Sequence, residues 1–199
     1  EIKIEKNIPV CAGLGGGSSD AAAVIAALDK MYGTNLPKSR LAQIGLSCGA
    51  DVPFFIYGGT ARVGGIGEEI EPVSPIDACA LIVKEGEKQS TADMYRRLDG
   101  MPKASNKTAE FLRLLNKEGA AAALKTADNA FGALCGDRTL FKALKHLNPL
   151  CVSVSGSGPS HFAVFTGENE ANIAARALKK QGYSPIVAPF KNCGAEIIE

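Results

Sequence analysis

Apolar and polar residues alternate through Glu1-Ile2-Lys3-Ile4-Glu5, which predicts a strand over about residues 1–7. A glycine cluster interrupts that pattern. The apolar run from Ala21 to Leu28 then predicts a helix over about 18–32, ended near Gly33. Asn35-Leu36-Pro37 opens a second helix, since proline is tolerated in a first turn, with Leu41, Ile44 and Leu46 facing inward. Val52–Ile56 reads as a short helix. Thr60–Val63 and Glu68–Val73 read as short strands around a Gly64-Gly65-Ile66-Gly67 turn.

The second half opens on a buried strand, Ala78–Val83. Helices are expected over roughly 90–98, 106–117, 119–134 and 137–147, with a break at Gly100-Met101-Pro102. Cys151–Ser155 and Phe162–Phe165 read as strands flanking a second glycine loop, Ser155-Gly156-Ser157-Gly158-Pro159-Ser160. A helix at about 168–181 and a strand at about 184–190 complete the pattern. Strands interleaved with helix pairs predict an α+β fold with a largely antiparallel sheet. Pro72 and Pro75 mark a domain boundary near residues 73–77.

Composition narrows the function. The chain has 199 residues, 46% hydrophobic, enough for a substantial core. A net charge of +1 without a basic run leaves no electrostatic footprint for nucleic acid. No apolar stretch approaches the length of a membrane span. The six cysteines, at 11, 48, 79, 135, 151 and 193, never form a Cys-x-x-Cys pair, so free thiols and a cytoplasmic setting are expected. His146 and His161 lie far apart, which argues against a Cys/His zinc site.

The candidate chemistry begins at Pro9-Val10-Cys11-Ala12-Gly13-Leu14-Gly15-Gly16-Gly17-Ser18-Ser19-Asp20. Glycines allow turns closed to other residues and let main-chain N–H groups approach a ligand. The following helix start is positive and carries unpaired N–H groups, which Ser18, Ser19 or Asp20 can partly cap. Together they suit a phosphate group. No Lys follows the glycines before Lys30, so this is not a Gly-Lys-Ser/Thr phosphate loop. Ser18 stands where a dinucleotide fingerprint has its third glycine. The plainer alternative is a linker or a close helix–strand packing.

Three separated segments carry a family resemblance: Ile8–Ala22, Gly49-Ala50-Asp51-Val52-Pro53-Phe54-Phe55, and Gly58-Gly59-Thr60-Ala61 with Gly67-Glu68. Through them the chain resembles the GHMP small-molecule kinases, and Ser155-Gly156-Ser157-Gly158 resembles that family's third motif. The resemblance implies a two-domain architecture. Residues 1–75 would form a partial N-terminal, ATP-binding domain (ribosomal protein S5 domain 2-like), and residues 76–199 a ferredoxin-like C-terminal domain. It implies ATP-dependent phosphorylation of a hydroxyl, on a methylerythritol moiety in the subfamily whose motifs match best. Homoserine or a mevalonate-type alcohol is the alternative acceptor, and a non-catalytic nucleotide-binding fragment the alternative class.

By the same resemblance Pro9, Ala12, Gly13, Leu14, Gly15, Gly16, Gly17, Ser18 and Ser19 would bind the nucleotide, Ser18 would meet Mg2+, and Asp51 would be catalytic. Read without the resemblance, Asp51 caps the helix after it, and residues 155–160 form an ordinary hairpin turn. His161 reads as a strand residue, and Lys84 and Lys191 as surface charges. The family's Lys-bearing first strand and Tyr-His segment are not among these residues. Residues 128–131 read Asp-Asn-Ala-Phe where the subfamily has an Asn-Asp-Leu-Glu-like run. The expectation is therefore a piece truncated at its N-terminus and inactive alone. Unpaired edge strands would favour self-association, with a homodimer as the expected partner.

Overall fold

The run that follows the glycines forms helix α1, Gly16–Tyr32. Gly33 closes it in a left-handed conformation, φ 61°, and its N–H donates back to Asp29 O and Lys30 O. Helix α2, Lys38–Cys48, starts directly behind Pro37, and α3 spans Val52–Tyr57. The inward face of α2 is Leu41, Ala42 and Gly45; Ile44, expected inside, is 38% exposed. At 100° per residue Leu41, Ala42 and Gly45 centre the buried face well round the helix from Ile44. Gly45 also lets α2 lie close on α3, because a Cβ there would come within 2.8 Å of Val52 Cγ1. Ala22, Leu41, Val52 and Ile56 form the small core of these helices, flanked by Ile25 and Phe55.

The structure is a computed structural model that describes residues 1–87, 89–101, 107–134 and 138–198. By packing, the chain forms two units. One comprises Glu1–Ile8, Gly15–Ile76 and Lys191–Glu199; the other comprises Pro9–Leu14 and Asp77–Phe190. The main crossing falls between Ile76 and Asp77, but the short segments 9–14 and 191–199 depart from a single cut at 75/76.

Residues 1–7 are not a strand. Ile2 and Ile4 are 66% and 51% exposed, and no neighbouring strand pairs with them among the described residues. Alternation makes a strand only where a partner ladder accepts it. The remaining strands of the first unit are β1, Ala61–Gly64, and β2, Glu69–Pro72, an antiparallel pair as the pattern predicted.

The second unit is built on a four-stranded sheet of β3 (Cys79–Lys84), β4 (Cys151–Val154), β5 (Ser160–Phe165) and β6 (Ile186–Pro189). Its order is β4-β5-β3-β6 with every neighbour antiparallel. Parallel strands β3 and β4 are separated by β5, and β5 and β6 by β3, which is the ferredoxin-like split arrangement. Helices α7 (Thr139–Lys145) and α8 (Glu168–Lys180) cover one face. Leu140, Leu144 and Leu178 there meet Leu81, Ala163 and Phe165 of the sheet.

Helix α4, Thr91–Asp99, is capped by Ser90, whose hydroxyl accepts from Asp93 N, and α5 spans Thr108–Glu118. The single helix expected over 119–134 does not form. It divides into α6, Ala120–Leu124, and a 3-10 turn, Ala130–Leu134. Between them Asp128 and Asn129 use their side-chain oxygens to accept from Asn129 N and Phe131 N, in place of helical carbonyls. Pro102, the first residues of two expected helices (106 and 137) and Cys135 lie outside the described residues. The five described cysteines are free. No described helix is long and apolar enough to cross a membrane.

Candidate active site

The glycine stretch is supported differently on its two sides. In the second unit, three donors hold the carbonyls of residues 10–13. Lys84 Nζ donates to Val10 O at 3.0 Å, Ser160 N to Ala12 O at 3.3 Å, and Ser155 Oγ to Gly13 O at 2.8 Å. In a planar trans peptide the C=O and the next N–H point in opposite directions. Holding these carbonyls turns the N–H groups of Cys11, Gly13 and Leu14 the other way, as a run of donors. Only glycine fits at position 13: φ is 72°, and a Cβ would lie 2.5 Å from Gly158 O and 2.7 Å from Ser155 O.

In the first unit, Gly15 is the N-cap of α1 in a left-handed conformation. A Cβ on it would strike the Phe55 ring of α3 at 2.5 Å. The expected caps are thereby displaced: Ser18, Ser19 and Asp20 lie inside the first turns, and the Ser19 hydroxyl donates to Gly16 O at 2.9 Å. Asp20 pairs with Lys6, whose ammonium also reaches Gly16 O at 3.4 Å. Lys6 therefore compensates a carboxylate beside the helix start. A Cβ on Gly17 would meet nothing within 4 Å, so that side of the helix start is open.

Asp51 stands at the N-cap position of α3, the helix that packs on α1. Its side chain makes no cap bond, and the N2 position that would offer a donor is Pro53, which has no N–H. The capping reading is thereby corrected. Among the described residues no hydrogen bond or ion pair engages this exposed carboxylate. Its backbone is set from the opposite side by Gly67, φ 134°, which lies against the Ala50 carbonyl too closely for any Cβ.

The loop 155–159 is a hairpin connection between β4 and β5, as the plain reading held, and it also braces Gly13. His161 lies in β5, 8% exposed, with neither ring nitrogen hydrogen-bonded among the described residues. Burial pushes its imidazole below the usual value, opposed in part by the Glu85 charge. Lys84, read as a surface charge, instead holds Val10. Asn129, in the run that departs from the subfamily's pattern, donates to Val154 O and Gly156 O at 2.8 and 2.9 Å. None of these three bonds could be found by local pattern, since the partners lie 74, 25 and 27 residues away.

A glycine-rich segment running into a helix start, a second glycine loop that braces Gly13 from a ferredoxin-like sheet, and an uncommitted aspartate are the parts of a small-molecule kinase fold. Residues 1–59 match the profile of the GHMP kinases N terminal domain and residues 137–184 that of the GHMP kinases C terminal, together more than half of the chain. The chain belongs to the GHMP kinase family.

Within it, the chain is 34% identical to the 4-diphosphocytidyl-2-C-methyl-D-erythritol kinase of Caldanaerobacter subterraneus subsp. tengcongensis, over 100% of this chain and 71% of that protein. It is 35% identical to the protein of that name from Geobacter sulfurreducens, over 92% of this chain and 66% of the relative. The chain thus spans about two thirds of the length of these curated relatives. A crystal structure of 4-(cytidine 5'-diphospho)-2C-methyl-D-erythritol kinase superposes with a TM-score of 0.71 at 29% identity, over 93% of this chain and 68% of that one. A homoserine kinase from Cytophaga hutchinsonii superposes at 0.75 but is 22% identical, which speaks for the fold alone.

Proposed function

We propose that the protein transfers the γ-phosphoryl group of ATP to a hydroxyl of 4-diphosphocytidyl-2-C-methyl-D-erythritol, in the non-mevalonate route to isoprenoid precursors. The observation that carries the acceptor is sequence identity of 34–35% to kinases of that name along nearly the whole chain. Backbone likeness does not choose it, since a homoserine kinase superposes equally well. The same reading divides the chain into a partial ATP-binding domain, residues 1–75, and a C-terminal domain, residues 76–199.

The start of α1 fits a triphosphate. Its first N–H groups have no intrahelical partners, and the space beside Gly17 is open. Pro9, Ala12, Gly13, Leu14, Gly15, Gly16, Gly17, Ser18 and Ser19 would line the nucleotide. Ser18 offers an oxygen of the kind Mg2+ prefers, and no group of three or more His, Cys, Asp or Glu among the described residues competes for the ion. Held there by the Ser18 hydroxyl, Mg2+ would supply positive charge against that of the transferring group. Asp51 would accept the proton of the attacking hydroxyl, while the bond from the γ-phosphorus to the ADP oxygen breaks and a new O–P bond forms. An exposed carboxylate without a structural partner is free for that work.

The test compares acceptors. Protein made from its complete gene is incubated with γ-labelled ATP and, separately, the methylerythritol substrate, homoserine and mevalonate. Label passing to the first alone is the expected result; transfer to either of the others at a comparable rate overturns the acceptor. A cytoplasmic location and a homodimer complete the proposal. Fractionation of cells and sedimentation of the purified protein test these two points.

A further inference from the structure

We infer that Asn129 is a positioning residue for the nucleotide loop, acting through the hairpin 155–159. The inference rests on the phosphate-binding reading of Gly13–Ser19 and adds to it a residue from the run 128–131, where the chain departs from the subfamily's pattern. The Asn129 amide nitrogen donates to Val154 O at 2.8 Å and to Gly156 O at 2.9 Å. Its amide oxygen accepts from Phe131 N at 2.9 Å. Two carbonyls on one end and an N–H on the other leave a single way round for the amide. All three bonds are then saturated.

The two carbonyls it holds bracket Ser155. That residue is consequently fixed from both sides, with its N–H on Ser160 O at 2.9 Å and its hydroxyl on Gly13 O at 2.8 Å. The path from Asn129 to the loop is thus three residues long: Asn129, Ser155, Gly13. Gly13 is where tolerance is smallest, because its backbone lies directly on Ser155 O and Gly158 O. A shift of the hairpin by a few tenths of an ångström reorients the Gly13–Leu14 peptide, whose N–H is among the donors facing the ligand. Misplacing a preorganised donor weakens binding out of proportion to the movement.

Asn129→Asp is the informative change. It keeps the shape and the acceptor for Phe131 N, but replaces both donors by a carboxylate oxygen facing two carbonyls. Affinity for ATP, measured by calorimetry on protein made from the complete gene, should fall about 10-fold at pH 8. Such a carboxyl is pushed up by the facing carbonyls, and once protonated it donates one bond. Part of the affinity should therefore return at pH 5.5, relative to the unchanged protein at the same pH. A residue that merely stabilised the fold would lower the melting temperature without that pH-dependent recovery.

Ser155→Ala cuts the path at its last link and should cost a similar factor. The double variant should lose about 10-fold rather than about 100-fold, since both changes break one path. If Asn129→Asp does not fold, Ser155→Ala alone decides. Unchanged ATP affinity in Ser155→Ala, or in a folded Asn129→Asp, overturns the inference, and so does full additivity. Gly17→Val separates the two layers. If it abolishes binding while Asn129→Asp and Ser155→Ala do not, the phosphate loop stands and the positioning role fails. If the unchanged protein binds no ATP, or Gly17→Val binds normally, the loop reading itself fails and takes the inference with it.

Discussion

Two glycines of the loop, four positions apart, answer to different constraints. Position 13 needs glycine for the fold, through its positive φ and the backbone lying against it. Position 17 has an ordinary helical conformation and open space beside it. Gly13→Ala should therefore destabilise the protein by on the order of 1–3 kcal/mol, read as a lower denaturation midpoint. Gly17→Val should leave the midpoint nearly unchanged while the branched side chain occupies the phosphate approach, so that ATP affinity collapses. Equal stability loss in both variants would contradict this division. Asp51 gives a second test at the same scale. Asp51→Asn breaks no bond in the structure, so its melting curve and ATP affinity should match those of the unchanged protein. Its kcat should fall about 100-fold or more, because the amide cannot accept the hydroxyl proton. A near-normal kcat would leave the catalytic group unassigned.

The pieces around α3 depend on a segment distant in sequence. Gly58 follows α3 with φ 70°, and a Cβ on it would overlap the backbone of Cys193 and Gly194. Ala195 N then donates to Phe55 O at 3.1 Å, so residues 193–195 are pinned against the end of that helix. Gly58→Ala should release the segment. The expected readout is faster amide exchange at Ala195 and a stability loss of on the order of 1–3 kcal/mol. Protection at Ala195 equal to that of the unchanged protein would show that the contact is dispensable.

At the scale of the whole molecule, one buried base couples stability to acidity. His161 lies in the sheet of the second unit, with its imidazole pushed below 6.5 mainly by burial. Because the folded value lies below the unfolded one, the unfolded chain takes up the proton first as pH falls. Stability is complete above about pH 6.5 and declines as pH falls below it toward the folded value. His161→Leu should flatten that limb of the stability profile between pH 7 and 5. An unchanged slope would place the acid sensitivity elsewhere.

Local chemistry alone determined most elements of this protein, together with its glycine-rich motif. The apolar run from Ala21, the Pro37 start, the paired short strands around Gly64–Gly67 and the helices flanking the late strands need only near neighbours to be read. Glycine spacing likewise reports a backbone requirement wherever it occurs. Only the tertiary structure decided that residues 1–7 pair with no strand among the described residues, because alternation cannot supply a partner ladder. It also decided that 119–134 is not one helix, since Asn129 gives up helical geometry to bond carbonyls 25 and 27 residues on. Lys84 and Ser155, 74 and 142 residues from the carbonyls they hold, became part of the site in the same way. Hydrogen bonds between distant segments leave no periodic trace in a sequence. They exist only once the sheet has brought its strand ends to the loop.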